Sequence, residues 1–123
     1  MKKNNQSINT ELLLSEINKF VNDRDWDQFH SLKNLSMALS VESSELLEIF
    51  QWMNEQQSNQ IESKPETLAQ VEDELSDIFY YLLRISSKLN INLEESLLKK
   101  MKKNAEKYPV EKSKGLAKKY NEI

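Results

Sequence analysis

The stretch that decides the fold is Ser63-Lys64-Pro65-Glu66-Thr67-Leu68-Ala69-Gln70-Val71-Glu72-Asp73-Glu74-Leu75-Ser76-Asp77-Ile78-Phe79-Tyr80-Tyr81-Leu82-Leu83-Arg84-Ile85-Ser86-Ser87-Lys88-Leu89. It opens with a helix start signal: Ser63 at the N-cap, Pro65 early in the first turn and Glu66 at the capping-box position. Val71, Leu75, Ile78, Leu82, Ile85 and Leu89 then recur at helical spacing, which predicts one long amphipathic helix ending near Leu89. Working outward, Asn92 and Glu95 repeat the capping-box spacing and begin a further helix that ends near Tyr108-Pro109. Upstream, a helix starts at the cap Ser31 and runs to about Asn54, followed by a polar, loop-like stretch from Glu55 to Glu62. A first helix covers about Thr10 to Asp23, with Leu13, Leu14, Ile17, Phe20 and Val21 on one face. The connector between the first two helices is Arg24-Asp25-Trp26-Asp27-Gln28-Phe29-His30. Residues 1–8 read as a flexible lead and residues 110–123 as a C-terminal tail broken at Gly115.

Four helices joined by short polar connections predict an all-α fold, an antiparallel four-helix bundle in a single domain spanning 1–123. The composition agrees. One glycine and two prolines in 123 residues leave too few turn residues for a many-stranded sheet. There are no cysteines, which excludes disulfides, thiolate metal sites and cysteine nucleophiles. No apolar run reaches the roughly 20 residues of a membrane helix, and Met1 to Thr10 lacks the apolar stretch of a signal peptide. A cytoplasmic protein without a membrane partner is expected. The formal net charge of −3 argues against a nucleic-acid partner, which needs a basic footprint.

The chemistry lies in acidic residues at unexpected places. With Glu42 at the origin of a helical wheel, Leu35, Leu46, Met53 and Ile49 all fall within about 40°. Glu42 therefore sits within the apolar stripe of the second helix. Glu45 lies about 60° away, and Glu48 is nearer the polar edge. On the third helix Glu74 is about 60° from the centre of the apolar face, with Asp77 beyond it and Tyr81 flanking the same face. Carboxylates in a helix–helix interface are costly unless a charge meets them. Two fates are open: they bind a hard cation, or they pair with Lys and Arg. A solvated acidic face is the alternative to both. Magnesium suits an all-oxygen set, whereas zinc finds a single histidine and no cysteine.

At these residues the sequence resembles the MazG-like all-α NTP pyrophosphatases, which carry a Glu-x-x-Glu followed by a Glu-x-x-Asp. The matching residues are Glu42-Ser43-Ser44-Glu45 and Glu74-Leu75-Ser76-Asp77. Within the family the chain looks most like the dCTP pyrophosphatase branch and its short bacterial relatives. The resemblance extends through Arg24-Asp25-Trp26, Phe29-His30, Asn34-Leu35, the run Glu45 to Trp52, Lys100-Met101, Asn104, Lys107-Tyr108-Pro109-Val110, Lys114-Gly115 and Lys118-Lys119-Tyr120. It covers about Phe20 to Tyr120. Leu32 departs from the branch's frequent proline, Lys33 and Lys107 from its arginines, and Ser43 and Ser44 from the glycines of animal members. Lysine keeps the charge at such a site but loses the bidentate fork.

The resemblance implies Mg2+ (with Mn2+ as a substitute) held by Glu42, Glu45, Glu74 and Asp77. It also implies hydrolysis of a nucleoside triphosphate between its α- and β-phosphates. It implies a homo-oligomer, a tetramer or a dimer, in keeping with apolar residues on several helices of a short chain. Glu48 is a candidate proton acceptor or a residue behind the metal ligands, against an ordinary solvated glutamate. Trp26 and Trp52 are candidates for stacking on the base, against core or interface packing. Tyr81, one turn beyond Asp77, would line the same cleft, with core packing as the rival reading. His30 would contact base, phosphate or backbone. Lys100, Asn104 and Lys107 share one helix face and suit phosphate, with Tyr108 at the pocket mouth or sealing the helix end. The expected substrate is dCTP or a modified dCTP. Other nucleotides, dUTP first, remain open within the same chemistry, as does a non-enzymatic helical interaction module.

Overall fold

The computed structural model describes residues 7–123, and the expected flexibility of residues 1–6 lies outside them. All regular structure among the described residues is helical, with no strand. The chain divides into two compact units, one ending at Leu89 and one spanning Asn90–Ile123.

The first unit begins with α1 (Thr10–Asp23), where the Asn9 side chain accepts from the Leu12 amide. Asp25 then takes a left-handed backbone conformation at φ 53°, a value an Asp side chain tolerates better than most. A 3₁₀ turn at Asp27–Phe29 follows. α2 (Leu32–Phe50) starts at Ser31, whose hydroxyl accepts from the Asn34 amide as expected. Asn34 in turn donates from Nδ2 to the Phe29 carbonyl at 2.9 Å, tying the connector to the helix start.

Two local expectations are corrected here. α2 stops at Phe50, short of Asn54, because Asn54 is committed to the next element. It forms a reciprocal capping box with Gln57 that starts α3 (Glu55–Ser58) within the supposed loop. A 3₁₀ turn at Ile61–Ser63 then leads into α4 (Pro65–Lys88). Ser63 is not the cap of α4. Its hydroxyl donates to the Gln60 carbonyl at 2.8 Å, closing the preceding turn. Lys64 takes the cap position without a side-chain bond, and Pro65 occupies the first turn, where its missing N–H costs nothing.

α2 and α4 form the largest interface of the unit, and α1 also packs on α4. Contacts run in opposite senses along the pair: His30 meets Arg84, Glu45 meets Glu74, and Ile49 shares a cavity wall with Gln70. α2 and α4 are therefore antiparallel. Among the described residues the buried apolar side chains are few: Val21 and Leu35, fully buried, with Val71 and Leu83. On α2, Leu46 and Ile49 are half-buried on the face that carries Leu35, as the wheel predicts, and Met53, beyond the helix end, is half-buried too. On α4 the expected stripe is only partly covered. Val71 is buried, but Leu75, Leu82 and Leu89 are exposed, while Leu83, Arg84 and Ser86 are buried in their stead.

The second unit holds α5 (Leu93–Lys107), capped by Asn92 accepting from the Glu95 amide. α6 (Val110–Ser113) and a 3₁₀ turn at Tyr120–Glu122 organise what the sequence reads as an irregular tail. Gly115 bends the chain at φ 76°, a conformation that favours glycine. α5 contains no buried residue. No described helix is long and apolar enough to cross a membrane.

Candidate metal and nucleotide site

The antiparallel α2–α4 pairing brings Glu42 and Glu45 face to face with Glu74. One carboxylate oxygen from each lies within 4.8 Å of the others. Glu42 Oε2 and Glu74 Oε2 are both buried and find no hydrogen-bond partner. Buried oxygens of this kind are costly when left unmet. Burial pushes the Glu42 carboxyl up to about 7, reinforced by Glu74, Glu45 and Asp77 around it. Glu74 is also raised, first by burial and further by Glu45 and Asp77, with Glu42 opposing the rise. The ion pairs among the described residues are Lys19–Asp23, Arg84–Asp27 and Lys88–Asp27. No Lys or Arg there meets Glu42, Glu45 or Glu74. Of the two fates open to these carboxylates, the structure favours the hard cation. An all-oxygen group with two orphaned, buried oxygens fits Mg2+.

Asp77, the fourth expected ligand, stands outside this group of three. Its carboxylate is exposed and lines a cavity of about 670 Å³ between α1, the connector and α4. Ile17, Phe20, Arg24, Trp26 and Tyr81 form other parts of that wall. The Arg24 guanidinium sits 3.8 Å from the centre of the Phe20 ring and donates to the Phe20 carbonyl at 3.0 Å. Phe20 meets Trp26 edge to face at 5.6 Å. The result is a preformed aromatic corner whose Trp26 remains 41% exposed. Burial raises the Tyr81 phenol above its ordinary range, so it stays a neutral hydrogen-bonding group at physiological pH.

A second, smaller cavity of about 450 Å³ lies against the carboxylates and is walled by Glu45, Glu48, Ile49, Gln70 and Glu74. Glu48 therefore borders the acidic group, although it adds no oxygen to it. Trp52 is 89% exposed and lines neither cavity. His30 also lines neither; its Nδ1 lies 3.3 Å from Arg84 Nη2. In the second unit, Lys107 lies over the Tyr120 ring at 4.9 Å, and Tyr108 meets the same ring edge to face. Asn104 is half-buried and Lys100 exposed.

Sequence reasoning missed Phe20, Arg24 and Arg84 as site residues. Arg84 had a signal: it is a lone cation inside the apolar run Leu82-Leu83-Arg84-Ile85. Its partners lie more than fifty residues away, so local pattern alone could not reveal them.

A family model described as MazG-like matches residues 37–123. The chain belongs to the MazG-like family. Among its relatives, dCTP pyrophosphatase 1 of Rattus norvegicus is 35% identical over 121 residues, 95% of this chain and 71% of the relative. The Homo sapiens protein of the same name is 33% identical over the same coverage. A crystal structure of a pyrophosphatase from Archaeoglobus fulgidus superposes with a TM-score of 0.74 at 35% identity. It covers 88% of this chain and 99% of its own. The MazG-like match contains all four acidic candidates, and the longer matches to relatives take in most of α1 and the connector as well.

Proposed function

We propose that this MazG-like protein is a Mg2+-dependent nucleoside triphosphate pyrophosphohydrolase acting on dCTP or a modified dCTP. The observation that carries the proposal is the group Glu42, Glu45 and Glu74 with its two orphaned buried oxygens. Asp77 lines the aromatic cavity, and its charge acts on Glu42 and Glu74. The similarity to dCTP pyrophosphatases supports the substrate class.

In this scheme Glu42, Glu45, Glu74 and Asp77 hold the cation. Bound Mg2+ would neutralise the triphosphate, polarise the α-phosphoryl group and lower the pKa of an attacking water. Trp26 and Tyr81 line the cavity and flank the base, and stacking on an aromatic face tolerates many bases. Water oxygen forms a bond to the α-phosphorus, the bond to the bridging oxygen breaks, and pyrophosphate leaves. The proton passes to a carboxylate not engaged on the cation, with Glu48 placed beside Glu45 and Glu74 to take it. His30, Trp52 and Tyr108 are assigned to the nucleotide, and Lys100, Asn104 and Lys107 to its phosphates.

The active form is a homo-oligomer, a tetramer or dimer. The exposed Leu75 and Leu82, spaced by seven on one face of α4, and the exposed Leu89 at its C-cap support this. So does the absence of any buried residue on α5. The setting is cytoplasmic housekeeping of nucleotide pools, and Mn2+ substitutes for Mg2+. Glu74→Gln tests the proposal. It is expected to lose more than about a hundredfold in turnover with an unchanged helical circular dichroism spectrum. Full activity in that variant would remove the carboxylate group from the mechanism.

A further inference from the structure

Arg84 is 5% exposed, and its guanidinium gathers groups from separate elements. Nη1 donates to Asn18 Oδ1 of α1 at 3.4 Å. Nη2 donates to Asp27 Oδ1 of the 3₁₀ turn at 2.9 Å and lies 3.3 Å from His30 Nδ1. Lys88 Nζ reaches the same Asp27 oxygen at 3.0 Å. A guanidinium has five N–H donors and no acceptor, and it does not deprotonate in proteins. The His30 Nδ1 facing it must therefore offer a lone pair. In a neutral imidazole the proton then resides on Nε2.

We propose that Arg84 is a positioning residue that fixes His30 as the neutral Nε2–H tautomer, so that the imidazole presents a donor to an acceptor atom of the nucleotide. The part concerning the nucleotide rests on the proposed assignment of His30 to the substrate. The charges facing His30 agree with the neutral form. Arg84 and Lys88 approach from α4 and Asp27 from the 3₁₀ turn, while α1 contributes the uncharged Asn18. Burial lowers the imidazole pKa first, Arg84 and Lys88 lower it further, and Asp27 opposes them. The acceptor is a carbonyl or ring nitrogen of the base or a phosphate oxygen.

The chain has a single histidine, so its ring nitrogens give one set of signals in a two-bond 1H–15N correlation spectrum. In the wild-type protein at neutral pH, Nδ1 is expected to be unprotonated and Nε2 protonated, with a pKa below that of an ordinary histidine. In Arg84→Met the pKa should rise, and protonation should shift toward Nδ1, where Asp27 then becomes the available partner. Arg84→Lys should recover part of the depression. A wild-type spectrum with Nδ1 protonated, or an Arg84→Met spectrum identical to wild type, would overturn the role of Arg84. If Arg84→Met does not fold, the wild-type tautomer alone decides. Adding dCMP, and separately pyrophosphate, each with Mg2+, reads the second part. An Nε2 shift with dCMP alone assigns the acceptor to the nucleoside or its α-phosphate, and a shift with pyrophosphate assigns it to the leaving phosphates. No shift with either removes His30 from the nucleotide while leaving the tautomer result intact.

Discussion

Lowering the pH from 8 to 6 is expected to weaken divalent-cation binding to the acidic group by about tenfold, because Glu42 must give up a proton to bind. The magnitude follows from the carboxyl at Glu42, raised to about 7 by burial and by its acidic neighbours. A group titrating there is about nine-tenths protonated at pH 6 and about one-tenth protonated at pH 8. Binding should then release about 0.9 proton at pH 6 and about 0.1 at pH 8. Titration calorimetry with Mg2+ or Mn2+, in buffers of different ionisation enthalpy, counts these protons directly. Glu42→Gln should reduce the release and weaken the pH dependence. The stability of the metal-free protein carries the opposite sign. A carboxyl raised in the folded state from 4.5 to about 7 contributes stability below pH 4.5 that is lost as pH rises through 7. Metal-free protein should therefore melt at lower temperature at pH 8 than at pH 6, and saturating Mg2+ should narrow that gap. Cation affinity independent of pH, with no proton released at pH 6, would refute the placement of Glu42 in the binding group.

Three further outcomes follow from named contacts. Trp26→Ala should raise KM for dCTP by roughly fivefold to a hundredfold, since base stacking contributes about 1–3 kcal/mol; unchanged steady-state kinetics would move the base away from the Phe20–Trp26 corner. Leu35→Ala removes a side chain only 1% exposed at the centre of the first unit. It should cost about 2–5 kcal/mol in chemical denaturation, and a loss below 1 kcal/mol would contradict the core assignment. Leu75→Glu with Leu82→Glu should reduce the sedimenting mass of the protein, as both leucines are exposed on one face of α4; an unchanged mass would place the subunit contact elsewhere.

The parts legible in the sequence are those set by periodicity and nearby side chains. Thr10–Asp23 and the Ser31 cap fall where local pattern puts them, and Glu42 stands out because a wheel places it among Leu35, Leu46 and Ile49. Competing local bonds hid other features. Ser63 satisfies the cap pattern of α4, yet its hydroxyl is used by Gln60. Asn54 reads as the end of α2 but caps α3. Long-range pairing was invisible. Arg84 stands out as a cation in an apolar run, but its partners show only when α4 is laid against the turn bearing Asp27, 57 residues earlier. The apolar stripe of α4 was legible as a stripe, but nothing local says which leucines face the unit's own core. Leu83 does, while Leu75 and Leu82 do not.

The most direct test of the central proposal is the product released from a panel of nucleoside triphosphates, with and without Mg2+. The panel comprises dCTP, a modified dCTP, dUTP, dTTP, the purine deoxynucleotides and CTP. The expected result is Mg2+-dependent formation of the monophosphate and pyrophosphate, fastest with dCTP or its modified form. A faster dUTP reaction would keep the chemistry and reassign the base pocket. Release of inorganic phosphate and a diphosphate, or no release from any member with Mg2+ present, would contradict the proposal.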